Sequence, residues 1–164
     1  MRARTPLVGG VVGLFVTVAV LHLGAQLTGA DDVADATQVL LMPLLAAALW
    51  SNTEAPRSRL ITLTLVALGL SWLGDSAPKL AEGDTAFLIM IGFFLLAQVA
   101  YVMAFWPFRG RSVLNVGRPL LLGYVAVVVA LVLACVGGAA GMLVPVLVYG
   151  TLLGTMAVLA TGVN

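Results

Sequence analysis

The chain has 164 residues, of which 62% are hydrophobic and 9% charged, against about 45–50% apolar and about 25% charged in soluble domains. A domain of this size leaves roughly 30% of its unfolded-chain surface in water, so one soluble core cannot hide so much apolar surface, and disorder needs the opposite composition. A net charge of +1 without a Lys/Arg cluster excludes a grip on nucleic acid. The single Cys135 excludes an internal disulfide, and the single His22 excludes a His-rich metal site. What remains is an all-α, polytopic integral membrane protein: one transmembrane helical domain over residues 1–164.

Charges separate the spans. Uncharged runs of 26, 18 and 24 residues lie between Arg4 and Asp31, Asp35 and Glu54, and Asp84 and Arg109. Each can cross a hydrocarbon layer of about 30 Å at about 1.5 Å per residue. The run after Arg59 is 15 residues long up to Asp75 and continues to Lys79, which places Asp75 inside a span. The last run, 46 residues after Arg118, is too long for one helix and breaks at the Gly137–Gly141 stretch. The pattern predicts six helices at 6–27, 36–51, 59–77, 85–107, 118–136 and 141–161.

Helix 1 follows Arg2 and Arg4. Its apolar run exceeds the usual core of a signal peptide, which favours an uncleaved span. His22 and Gln26 sit one turn apart, and a lone His reads as a hydrogen-bonded core residue rather than a metal ligand. Helix 2 carries Pro43, a kink tolerated in membrane helices. Trp50, Trp72 and Trp106 fall near helix ends, where interfacial aromatic belts occur.

Helix 3 carries the most informative residue. Asp75 lies about 10 Å outward from the helix midpoint, and a carboxylate within a bilayer costs on the order of 3 kcal/mol, which makes it a functional candidate by default. Thr64, Ser71 and Asp75 share one face. Gly74 thins the helix there, and Pro78 denies the Gly74 carbonyl its donor. The plainer alternative is an interfacial ion pair of Asp75 with Lys79, one turn on.

On helix 4, Phe94, Gln98, Tyr101 and Phe105 line one face. Gln98 needs a partner at that depth, either as interhelical glue or in a polar cavity. The spacing leads us to expect helices 3, 4 and 6 to meet around such a cavity. Helix 6 brings Pro145, Tyr149, Thr151, Thr155 and Met156, of which Tyr149 is the better site candidate. The Gly9-x-x-x-Gly13 and Gly150-x-x-x-Gly154 pairs fit close helix packing. No charge follows Arg118 and the end at Asn164 is abrupt: either a tail is missing or the chain is a fragment of a longer one.

The basic residues orient the chain. With the N-terminus cytoplasmic, Arg2, Arg4, Arg57, Arg59, Arg109, Arg111 and Arg118 all lie inside and only Lys79 outside, seven against one. A multi-pass protein of the cell membrane is expected. Phosphate-binding, nucleophile-elbow, zinc and dinucleotide motifs are absent, so neither cofactor nor metal is expected. No internal repeat of the transporter kind is evident.

Ser71-Trp72-Leu73-Gly74-Asp75 resembles the S-x-x-G-D motif of the YhhN family of membrane proteins. Thr37 to Pro43 resembles that family's helix 2, Gly92-x-Phe94-x-x-x-Gln98-x-x-Tyr101 its helix 4 pattern, and Tyr149 to Met156 its helix 6 pattern. Gln38 stands where the family often has Lys, Val39 where it has Pro, and Gln98 where many members have His. Members usually have about eight helices and a second Ser-Asp motif, a further intramembrane carboxylate, which nothing after Met156 supplies here.

The resemblance implies a lysoplasmalogenase-like hydrolase whose partners are the bilayer and a lysolipid-like substrate. Its reaction is vinyl-ether hydrolysis, which begins with protonation of an alkenyl carbon. Asp75 is then the candidate catalytic acid, or the base that activates water. Ser71, Gly74, Gln98, Tyr101 and Tyr149 are the candidate cavity and substrate-binding residues. Two other classes compete: a small carrier or channel subunit with Asp75 as a proton or cation site, and a non-catalytic packing or assembly protein.

Overall fold

The structure, a computed structural model, describes residues 5–112 and 143–163 and isolated positions between them. The described chain is α-helical and contains no strand. Four helical segments are long and apolar enough to cross a membrane: Gly9–Thr28, Asp31–Asn52, Arg59–Leu80 and Gly83–Arg111. The predicted helix 118–136 and the break after it lie outside the described residues, apart from isolated positions. The chain groups into two compact units, residues 1–93 and 94–164.

The first unit holds α1 (Thr5–Thr28), α2 (Asp31–Asn52), α3 (Arg59–Ser76) and the start of α4 (Gly83–Phe105). α1 carries Leu14, Val20, Leu23 and Leu27 exposed, as suits a helix whose outer surface meets lipid rather than water. It ends at Gly29, whose φ of +70° is a left-handed conformation that favours glycine. There the Ala30 N–H donates to the Ala25 carbonyl at 2.9 Å and closes the last turn.

α2 begins at Asp31, five residues before the predicted start at 36. Asp31 and Asp32 occupy its first turn, where carboxylates meet the exposed N–H groups and the positive end of the helix dipole. Charges that bound an apolar run therefore need not bound the helix. α3 starts where expected, with Ser58 Oγ accepting the Ile61 N–H at 3.4 Å.

At its other end α3 tightens into a 3-10 turn, Ala77–Leu80, with Pro78 near the start. α1 packs on α2 and α2 on α3, each pair antiparallel. Small side chains let them approach closely: Ala25, Ala34, Ala48, Ala67 and Gly74 are buried.

The second unit holds the rest of α4, a 3-10 turn at Trp106–Arg111, and α5 (Leu143–Ala160), which matches the sixth predicted helix. α4 runs 83–105 and continues as the 3-10 turn, against a predicted 85–107. Pro107 has no N–H to extend the α-helical ladder. The chain after α5 packs tightly on this turn. Gly162 is buried, and a Cβ there would overlap the Phe108 carbonyl and stand 3.0 Å from the Ser112 nitrogen.

Candidate functional site

The first unit assembles three polar links between α2 and α3. Asp75 and Trp72 are three residues apart on one face of α3, and Lys79 follows on the 3-10 turn. Asp35, Gln38 and Val39 face them from α2.

The link nearest the α1–α2 turn is an ion pair, Lys79 Nζ to Asp35 Oδ1 at 3.2 Å. The same nitrogen also donates to the Asp35 carbonyl at 3.1 Å. The middle link is the Gln38 Nε2 amide donating to Asp75 Oδ1 at 2.8 Å. In the third, the Trp72 indole N–H donates to the Val39 carbonyl at 3.1 Å.

The third link has a cause in α2 itself. In a regular helix the Val39 carbonyl would accept from the N–H of residue 43, and residue 43 is proline, which has none. Trp72 supplies the missing donor from the neighbouring helix. Trp72 is thus more than an interfacial aromatic: it joins α3 to the broken turn of α2, one residue from Gln38 and three from Asp75.

Asp75 lies about 8 Å from the middle of the span Arg59–Leu80, half-buried, with Gln38 as its hydrogen-bond partner. The anticipated alternative, Asp75 paired with Lys79, is not what forms. Lys79 turns to Asp35 instead. Ser71 and Gly74 of the same motif are buried on the packed face of α3.

On the other side of α2, His22 Nδ1 lies 3.0 Å from Thr37 Oγ1 and 3.1 Å from the Ala34 carbonyl. That is the role of a hydrogen-bonded helix-packing residue. Among the described residues, no group of three or more His, Cys, Asp or Glu side chains could hold a metal ion.

The remaining candidates fall in the second unit. Gln98 is 6% exposed, and its Oε1 has no hydrogen-bond partner among the described residues. Tyr149 of α5 meets Phe94 of α4 edge to face, ring centres 6.4 Å apart. Tyr101 stacks on Phe105 at 6.0 Å. The structure thus groups Asp75 with Ser71 and Gly74 in one unit, and Gln98 with Tyr101 and Tyr149 in the other.

Two participants escape a reading of the sequence as a set of site residues: Gln38 and Trp72. Pro43 announces an unpartnered carbonyl at Val39, but not which helix satisfies it. Gln38 is conspicuous as an amide within an apolar run, but only the packing of α2 on α3 puts it against Asp75.

Spans of this length and apolarity, with a carboxyl–amide pair set between two of them, define an α-helical membrane protein. The chain belongs to the YhhN family, whose model matches residues 33–164; α1 precedes the matched region. No curated protein and no solved structure matches it.

Proposed function

We propose that the chain is a multi-pass membrane hydrolase of the lysoplasmalogenase type, cleaving the vinyl ether of a single-chain lipid with Asp75 as its catalytic carboxyl. The observation that carries this reading is the Gln38–Asp75 hydrogen bond inside the span. It fixes the carboxyl through an uncharged amide, while the Lys79 ammonium makes its ion pair with Asp35.

In this reading the hydrogen bond from Gln38 decides where the proton is carried. Oδ1 accepts from Gln38, so a proton carried by Asp75 sits on Oδ2. Delivered to the alkenyl carbon of the substrate in the slow step of such a hydrolysis, that proton leaves an oxocarbenium ion. Water adds to it, losing a proton to the Asp75 carboxylate. The resulting hemiacetal collapses to a fatty aldehyde and a glycerophospho head group. One carboxyl acts first as acid and then as base, and the cycle returns it to its starting state.

Ser71 and Gly74 lie beside it on α3. Gln98, Tyr101 and Tyr149 are assigned to substrate binding by the family resemblance, and the unpartnered Gln98 Oε1 is an acceptor that a lipid hydroxyl would satisfy. The seven-to-one basic asymmetry supports a cytoplasmic N-terminus in this reading.

The test is aldehyde release from a vinyl-ether lysolipid by the purified full chain and its Asp75→Asn variant, with melting curves alongside. Asn keeps the shape of Asp, so the fold should persist while turnover falls by roughly 10²–10⁴-fold. Equal turnover would remove Asp75 as the catalytic carboxyl and leave it a packing role. If wild type hydrolyses no vinyl-ether lysolipid, the hydrolase reading fails and a proton- or cation-carrying role at Asp75 takes its place.

A further inference from the structure

At the end of the α2–α3 pair opposite Asp75 lies an open groove of about 490 Å³, lined by Trp50, Arg57, Thr62, Leu65 and Val66. Along α3 it begins 13 residues before Asp75, about 20 Å away, so it is no part of the acid site. Its two ends differ chemically. Arg57 and Thr62 are at the helix-end side, and Leu65 and Val66 lie one turn deeper in the span.

Arg57 is held in place. Its guanidinium carbon sits 3.4 Å from the centre of the Trp50 ring. Nε donates to Thr53 Oγ1 at 3.3 Å, and Nη2 donates to the Trp50 carbonyl at 3.2 Å and to the Thr53 carbonyl at 3.4 Å. Among the described residues these bonds use one edge of the fork and leave Nη1 for an outside acceptor. Arg59 adds a second positive charge at the same helix end. Glu54, the carboxylate of this loop, is engaged as well.

We propose that this groove binds an anionic phospholipid of the bilayer, its phosphate on Arg57 and the first carbons of its chain against Trp50, Leu65 and Val66. Three observations carry the choice of occupant. The depth is right: Ser58 to Val66 spans about 12 Å along the axis, enough for a phosphate, a glycerol and the first methylenes. The charge is right: a pre-set guanidinium is complementary to phosphate, and it lies at the end of the helices that carries the basic residues, where anionic lipids concentrate. A choline head group is disfavoured, because the Trp50 face on which it would stack is already covered by Arg57.

The experiment is native mass spectrometry of the full chain in a neutral detergent, titrated with phosphatidylglycerol, with phosphatidylcholine of the same chains, and with inorganic phosphate. Wild type should retain phosphatidylglycerol about fivefold or more over phosphatidylcholine, and should not retain phosphate. Arg57→Gln should remove that preference. Val66→Trp, which fills the groove and leaves Arg57 untouched, should lower retention of phosphatidylglycerol to a similar extent and serves as the test if Arg57→Gln does not fold. Asp75→Asn should bind as wild type does, so the outcome is separate from the hydrolase reading. Equal retention of the two lipids by wild type overturns the proposal. So does retention of free phosphate, which would make the groove an anion site rather than a lipid site, and so does unchanged phosphatidylglycerol binding in Val66→Trp.

Discussion

The link between Trp72 and the Val39 carbonyl can be tested on its own terms. Trp72→Phe keeps an aromatic ring but deletes the donor at 3.1 Å. The carbonyl it serves has no helical partner, because residue 43 is proline. An unsatisfied buried polar group costs about 1–3 kcal/mol, while polar links between membrane helices measure about 0.6 kcal/mol on average and reach about 2. A loss near 1 kcal/mol is therefore expected. On the scale of a domain this size it lowers the melting midpoint by about 2–4 °C.

Loss of ring area would also lower it, so the decisive measurement is a double-mutant cycle with Pro43→Ala. Alanine restores an N–H four residues after Val39 and lets the carbonyl bond within its own helix. Packing lost on changing Trp to Phe is the same in both backgrounds and cancels. The cost of Trp72→Phe should thus fall by about 1 kcal/mol in the Pro43→Ala background, read from reversible unfolding in mixed micelles. Additivity within about 0.3–0.5 kcal/mol would show that Trp72 packs against α2 without serving its broken turn.

Other outcomes follow from the same geometry. Gln38→Leu removes the donor on Asp75 Oδ1; hydrogen bonds to charged groups are worth about 1.5–3 kcal/mol, so aldehyde release should fall roughly 10–100-fold in kcat while the protein stays folded. Lys79→Gln breaks an ion pair whose side chains are 36% and 69% exposed, so a midpoint change below about 4 °C and unchanged turnover are expected. A large loss of turnover there would mean that Lys79 serves Asp75 after all. Gly162→Ala would press a methyl group onto the backbone of the Trp106–Arg111 turn, and overpacking of this kind costs about 1–3 kcal/mol; an unchanged midpoint would show that the end of α5 yields freely.

The first four spans were legible because their signal is composition, and composition survives ignorance of the packing. α1 and α3 begin within a residue of where the apolar runs place them. The start of α2 was not legible by the same rule. Asp31 and Asp32 interrupt the apolar run yet belong to the helix, since its first turn welcomes the charge that the bilayer core rejects. Pro43 and Pro107 show the same limit from the other side. Proline marks a missing donor with certainty, but the structural reply differs. α2 runs on with help from Trp72, whereas α4 gives way to a 3-10 turn.

Asp75 stands out in the sequence because an acid in an apolar span is conspicuous by itself. Its pairing with Gln38 does not, because partners across helices leave no spacing to read. The spacing that is readable, four residues from Asp75 to Lys79, points the wrong way for a physical reason. Two side chains four apart share a face only if the helix between them is α. Here the chain from Ala77 turns 3-10, gaining about 20° per residue over the α form. Over the three steps to Lys79 that adds about 60° to the offset, which carries the ammonium off the Asp75 face and over to Asp35. The tightening follows from Pro78, which cannot donate to the Gly74 carbonyl. A single proline after the motif thus turns the cation to Asp35 of α2 and leaves the Gln38 amide as the hydrogen-bond partner of the Asp75 carboxyl.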